Sequence, residues 1–123
     1  MPNWENKTIL VVEDDEASSI LFKEILRPYG PSVLIARDGR EAIKKIESNT
    51  VDIVVMDIRL PFMNGYEATK LIKEIKPEIP VLAQTAYTLF DDRERCITAG
   101  CDDYMVKPIN SSVLVNKINR FLS

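Results

Sequence analysis

The feature that most constrains the fold is an alternation between two hydrophobic periods. Five short runs, Ile9–Val12, Val33–Ala36, Ile53–Met56, Val81–Ala83 and Tyr104–Val106, contain no charged residue and read as strands. Between them lie longer stretches with helical spacing. Ala17, Ile20, Leu21 and Ile25 define one such face, Ala68, Leu71, Ile72 and Ile75 a second, and Leu114, Ile118, Phe121 and Leu122 a third. Gly39–Ser48 and Leu89–Ala99 carry weaker apolar sides. A strand that is apolar throughout needs cover on both faces, which is the situation in parallel sheets. Right-handed crossovers then close the β-α repeat into an α/β, three-layer, doubly wound sandwich. The punctuation agrees: Arg27-Pro28 ends the first helix, Lys76-Pro77 the third, and Gly100 follows the fourth. Asp38, Asn64 and Asn110 are suitable N-caps. No linker or repeat interrupts the pattern, so residues 1–123 read as a single domain, with 1–7 a short lead-in to the first strand.

Composition narrows the chemistry. Sixteen Lys and Arg against nineteen Asp and Glu give a net charge of −3, which argues against a phosphate-contacting nucleic-acid surface. No apolar run is long enough to span a bilayer, and the polar first seven residues lack a signal-peptide core. The absence of histidine removes imidazole acid–base chemistry, histidine metal ligands and phosphohistidine formation from this chain. The two cysteines, Cys96 and Cys101, have no zinc-type spacing and are expected to be buried free thiols in a reducing cytosol.

In open parallel sheets, ligands bind beyond the carboxyl ends of the strands, at the point where strand order reverses. The first strand runs into Glu13-Asp14-Asp15, the third into Asp57, the fourth into Thr85 and the fifth into Lys107-Pro108, whereas the second ends in Ala36-Arg37. A flavodoxin-like strand order of 2-1-3-4-5 explains this distribution. It brings Glu13, Asp14 and Asp57 together, sets Thr85 and Lys107 nearby, and leaves the second strand at an edge. Converging carboxylates repel and call for a counter-charge. All-oxygen ligation of a small hard cation that keeps several waters is the Mg²⁺ pattern. A carboxylate beside such a cation, a lysine and a hydroxyl is equipped to accept a phosphoryl group.

These residues resemble the receiver domain of two-component response regulators over essentially the whole chain. The matching segments are Ile9-Leu10-Val11-Val12-Glu13-Asp14-Asp15, Met56-Asp57-Ile58-Arg59-Leu60-Pro61 with Asn64-Gly65, Gln84-Thr85-Ala86, and Asp103-Tyr104-Met105-Val106-Lys107-Pro108. The resemblance implies that Asp57 is the phosphoacceptor and that Glu13 and Asp14 hold Mg²⁺, Asp14 directly and Glu13 through water. It implies that the Arg59 backbone carbonyl is a further metal ligand and that Lys107 binds a phosphoryl oxygen. Thr85 and Tyr104 would form a switch pair, and Lys107-Pro108 would be a cis peptide. The implied donor is a phosphohistidine on a histidine kinase or histidine phosphotransfer protein. The domain would accept the phosphoryl group, lose it slowly and switch conformation to control a partner or attached domain, without being an enzyme. It would contact neither nucleic acid nor membrane, and a weak dimer is compatible with the family.

Two features depart from the family pattern. Glu13 stands where aspartate is also used, and Arg59 and Tyr87 form a bulky pair at positions that tune phosphate loss. Ala83–Tyr87 and Ala99–Tyr104 look most like receivers attached to hybrid sensor histidine kinases. A cytoplasmic location follows, either free or as the cytoplasmic part of a membrane-anchored hybrid kinase. Ser123 falls where the fifth helix should end, with no output domain after it, so the chain reads as a stand-alone regulator or one domain of a larger protein.

Other readings require residues that are absent or different here. An aspartate-nucleophile phosphatase of the haloacid-dehalogenase type needs a second aspartate where Arg59 stands. A flavodoxin-like flavin carrier needs a small-residue phosphate loop in place of the acidic Glu13–Asp15. A degenerate receiver acting only as an interaction module should lack Asp57, Lys107 or the acidic pair, and all are present. Outside the constellation, Asp15 and Glu16 are expected to be helix-start acids. Asp102-Asp103 is expected to be a solvated turn, and Asp91–Arg95 an exposed, charge-paired helix face. Tyr104 could equally be packed interior, and Trp4 and Phe90 could be exposed aromatics or local anchors.

Overall fold

The structure, a computed structural model, describes residues 2–86 and 92–123. Its elements in chain order are β1 (Thr8–Val12), α1 (Glu16–Leu26), a 3₁₀ turn (Arg27–Tyr29), β2 (Ser32–Ala36), α2 (Gly39–Ser48), β3 (Ile53–Asp57), α3 (Gly65–Ile75), β4 (Val81–Thr85), α4 (Asp92–Ala99), β5 (Asp103–Val106) and α5 (Ser111–Leu122). All strand pairs are parallel, and the sheet order is β2-β1-β3-β4-β5. The expected strand order is therefore the observed one. The Leu89–Ala99 helix is seen from Asp92 onward, and Leu89 to Asp91, like Tyr87 and Phe90, lie outside the described residues.

The two-faced cover inferred from the apolar runs is visible along β1. Ile9 and Val11 enter one core with Phe22, Leu26, Leu114 and Ile118 from α1 and α5. Leu10 and Val12 enter another with Ala42, Ile46, Ala68 and Ile72 from α2 and α3. Every residue of β3 and β4 is buried. Such full burial rigidifies the strands whose ends carry Asp57 and Thr85. Helix starts follow local chemistry: Asp15, Asp38, Asn64 and Asn110 each accept from a backbone N–H of the first turn. Asp15 also accepts from the Ser18 hydroxyl, and these Ser18 donors hold its carboxyl below the usual range. Glu16 lies in the first turn of α1, as expected of a helix-start acid.

Several local expectations change. The buried face of α1 is Ser19, Phe22 and Leu26, while Ala17 is exposed and Ile20 and Leu21 are 55% and 47% exposed. Ile25 of the expected face does pack against the core, but packing on the sheet centred the buried stripe on the bulky Phe22. On α3, Ala68 and Ile72 are buried but Leu71 and Ile75 are exposed. The α5 face is confirmed, with Leu114 and Ile118 buried and Phe121 and Leu122 packed against them. Trp4 proves to be a buried anchor: its backbone N–H donates to the Tyr29 carbonyl at 2.8 Å, and the two rings lie 5.0 Å apart.

Helix α4 closes at Gly100, whose φ of +100° favours glycine. The Cys101 N–H donates to the Cys96 carbonyl and the Gly100 N–H to that of Ile97. This is a Schellman motif, and its accompanying side-chain contact is made by the two thiols. Cys96 is buried, but Cys101 is only half-buried, so the expectation of two buried thiols holds for the first alone. The Cys96 thiol beside it and burial together push the Cys101 thiol up. Among the described residues of the 91–95 segment, Arg93, Glu94 and Arg95 are exposed, and Arg95 covers the Tyr66 ring at 4.4 Å. Among the described residues, no helix is long and apolar enough to cross a membrane.

Asp102 lies exposed in a bend, as expected of a solvated turn, but Asp103 is half-buried in β5 and both acids are tied to other elements. Asp102 accepts from the Val81 N–H at 2.8 Å and from Lys73 at 2.7 Å, and Lys73 also donates to the Ile79 carbonyl. Asp103 pairs with Lys117 of α5. These acids tie the starts of β4 and β5 to two helices, through contacts too distant in sequence to be read from local pattern. Asp102→Ala should therefore cost about 1–3 kcal/mol by stranding the Val81 N–H, whereas Asp102→Asn, which keeps an acceptor, should cost less. Urea denaturation midpoints test this, and equal losses for the two variants would contradict it.

Candidate functional site

The carboxyl ends of β1, β3, β4 and β5 form one acidic cleft. The register that pairs Val12 with Met56 and Asp57 with Gln84 sets Glu13, Asp57 and Gln84 in a lateral row. Glu13 and Asp57 are only 3% and 2% exposed, while Asp14 is open to solvent. One oxygen from each of Glu13, Asp14 and Asp57 lies within 4.8 Å of the others. The convergence expected from strand order is thus present.

Asp57 is held from two sides. Its Oδ1 accepts from Lys107 Nζ at 2.9 Å and from the Arg59 N–H at 3.0 Å. The Lys107–Pro108 peptide is cis, as the resemblance implied, and the Lys107 N–H donates to the Thr85 carbonyl at 2.8 Å. After Asp57 the chain turns sharply: the Gly65 N–H donates to the Ile58 carbonyl at 2.9 Å. A Cβ on Gly65 would collide with the Asp57 carbonyl oxygen and stand 2.7 Å from the Ile58 Cα, so no larger residue fits beside the acid. Within this turn Phe62 is 91% exposed with a φ of +69°, a strained conformation for an aromatic residue.

Thr85 is buried at the end of β4. Tyr104 is half-buried and packs against the cluster of Ile58, Tyr66, Ala83 and Cys96. Gln84 was quoted from the sequence only as part of a motif, with no role. It is 1% exposed, and its Nε2 donates to Glu13 Oε1 at 2.9 Å. Its signal is an amide directly after the apolar run Val81–Ala83 and just before Thr85.

Burial, followed by the Asp57 carboxylate, raises the Glu13 carboxyl from 4.5 to about 7, against the opposing pull of the Asp15 N–H and Lys107. Two buried carboxylates facing one lysine form a donor set that suits a hard divalent cation, whose charge would relieve this repulsion.

Residues 9–119 match the response regulator receiver domain family. The chain belongs to that family. It is similar to hybrid signal transduction histidine kinase I of Dictyostelium discoideum, at 38% identity over 90% of this chain, of which it spans only 7%. It is also 34% identical to the polar-differentiation response regulator DivK of Brucella ovis, covering 94% of this chain and 96% of that protein. Among solved structures, the receiver domain of a sensor histidine kinase from Pseudomonas aeruginosa superposes with a TM-score of 0.87 at 35% identity, covering 94% and 97% of the two chains. That structure has a magnesium ion coordinated in its active-site cleft. A CheY-like receiver from Methanospirillum hungatei gives a TM-score of 0.87 at 33% identity, with coverage of 93% and 91%. The domain therefore serves two-component signalling, and the fold and family inferred from the motifs are confirmed.

The raised Glu13 carboxyl has a consequence for the metal-free receiver domain. The folded state binds this proton more tightly than the unfolded chain does. Stability should therefore fall as pH rises from about 4.5 through 7, by an amount on the order of 3 kcal/mol at most. Glu13→Gln should raise the melting temperature more at pH 8 than at pH 5, and Mg²⁺ should shrink the difference. Equal gains at both pH values would refute the repulsion argument.

Proposed function

We propose that this receiver domain accepts a phosphoryl group on Asp57 from the phosphohistidine of a histidine kinase or histidine phosphotransfer protein. The observation that carries the reading is the buried Asp57 carboxylate, held by Lys107 and by the Arg59 N–H within reach of Glu13 and Asp14. An Asp57 oxygen attacks phosphorus, the donor's N–P bond breaks as the O–P bond forms, and the departing imidazole keeps the bond pair and takes a proton from water. Lys107 Nζ balances charge on the transferring oxygens. Glu13, Asp14, Asp57 and the Arg59 carbonyl would hold Mg²⁺, which when bound neutralises charge on the phosphoryl group.

The chain's own residues also support a docking and an output role. Ile20 and Lys23 of α1 line an open groove with Glu13 and Asp14, a surface on which a partner can bring its phosphohistidine to the cleft. Thr85, at the end of β4, is the hydroxyl that would turn to the phosphoryl oxygens, and Tyr104 would follow inward. We read the domain as a cytoplasmic signalling module and not an enzyme, with slow loss of phosphate beside Arg59, either acting alone or carried by a hybrid histidine kinase. The complete set of Asp57, Lys107, Thr85 and acidic pair speaks against a degenerate interaction module.

With acetyl phosphate and Mg²⁺, intact-mass measurement should show one phosphoryl adduct on the unsubstituted chain and none on Asp57→Asn. An adduct surviving that substitution would sink the assignment.

Thr85→Ala should still accept phosphate but transmit it poorly, since one charge-assisted hydrogen bond worth about 1.5–3 kcal/mol is lost from the switched state. Backbone NMR shifts around Tyr104 and Met105 on adding beryllofluoride, a phosphoryl mimic, give the readout. Equal shifts in both proteins would show that the hydroxyl is not the relay.

A further inference from the structure

The side chain of Gln84 crosses the sheet. Strand β3 lies between β1 and β4, so an amide on β4 that reaches Glu13 Oε1 at 2.9 Å must span the strand that carries Asp57. It does so on the side of the sheet where Val11, Val55, Leu82 and Leu114 form an apolar core. Gln84 is 1% exposed, and its Oε1 is buried without a hydrogen-bond partner among the described residues.

That combination is hard to explain by stability alone. A buried amide with an unmet acceptor is destabilising, and an apolar side chain of similar size would suit the surroundings better. Among the described residues, the hydrogen bond to Glu13 is what the position provides that an apolar residue could not. A charged Glu13 needs restraint there, because the Asp57 carboxylate within 4.8 Å of it repels it. Two donors hold it in place: the Asp15 N–H on Oε2 at 3.2 Å and Gln84 Nε2 on Oε1 at 2.9 Å. Each carboxylate oxygen keeps a second lone pair, so neither bond prevents Glu13 from facing a cation or its water.

We propose that Gln84 is a positioning residue of the metal site, a strut across the phosphoacceptor strand that holds Glu13 against Asp57 and so sets Mg²⁺ affinity. This rests on the reading of Glu13, Asp14 and Asp57 as the metal-holding group. Outer partners of metal ligands commonly change affinity by about 10–100-fold when removed. The low end applies here, because the Asp15 N–H remains.

The experiment is Mg²⁺ titration calorimetry on the whole chain at pH 8, paired with urea denaturation without metal. Gln84→Met should weaken Mg²⁺ about tenfold while leaving the denaturation midpoint unchanged or higher. Gln84→Asn keeps the amide but is one methylene too short for Glu13, and it should lose affinity similarly. It also serves as the second variant should the methionine fold poorly. In a Glu13→Gln background, Gln84→Met should change Mg²⁺ affinity by less than about twofold. Undiminished affinity in Gln84→Met and Gln84→Asn, or the same loss in both backgrounds, would overturn the proposal. Asp14→Ala separates this from the underlying reading: if it binds Mg²⁺ as the unsubstituted chain does, the metal site itself is misassigned and the strut falls with it.

Discussion

The arrangement of the site depends on one unfavourable contact, the burial of Glu13 and Asp57 side by side at the ends of adjacent parallel strands. Water cannot screen two carboxylates that are 3% and 2% exposed, so the protein must supply the compensation. It does so with Lys107 Nζ and the Arg59 N–H on Asp57, and with the Asp15 N–H and the Gln84 amide on Glu13. The compensation is incomplete: burial first and the Asp57 carboxylate second keep the Glu13 carboxyl raised to about 7. The residual repulsion is what a divalent cation at this acidic cluster would relieve.

Holding such a contact requires a rigid frame. Strands β3 and β4 are buried along their whole length between two apolar cores, so their ends cannot splay to relieve the repulsion. Gly65 lets the first turn of α3 pack directly on the backbone of Asp57 and Ile58. The side around α4 is built differently. Its described residues meet the sheet through a small cluster of Ile58, Tyr66, Ala83 and Cys96, with Tyr104 packed at its margin.

The sequence by itself determined the architecture and the main members of the site. Continuous apolar runs can be satisfied only between two layers of helices, and this dictated a parallel sheet. The acids, hydroxyl and lysine at the strand ends then converge for any sheet of order 2-1-3-4-5. Caps at Asp38, Asn64 and Asn110 were legible for the same reason: their hydrogen bonds reach only a few residues along the chain.

What only the tertiary structure decided are interactions between residues far apart in sequence. On helix α1 the sheet centred the buried stripe on Phe22, leaving Ile20 and Leu21 outside. Asp102 and Asp103 looked like solvated charges until Val81, Lys73 and Lys117 were placed against them. Gln84 was an amide directly after an apolar run, and its partner Glu13 stands 71 positions away. A periodic pattern states which residues share a face. Which of two faces is buried, and which donor meets which acceptor, is set by the packing of several elements at once, and no local stretch of sequence carries that information.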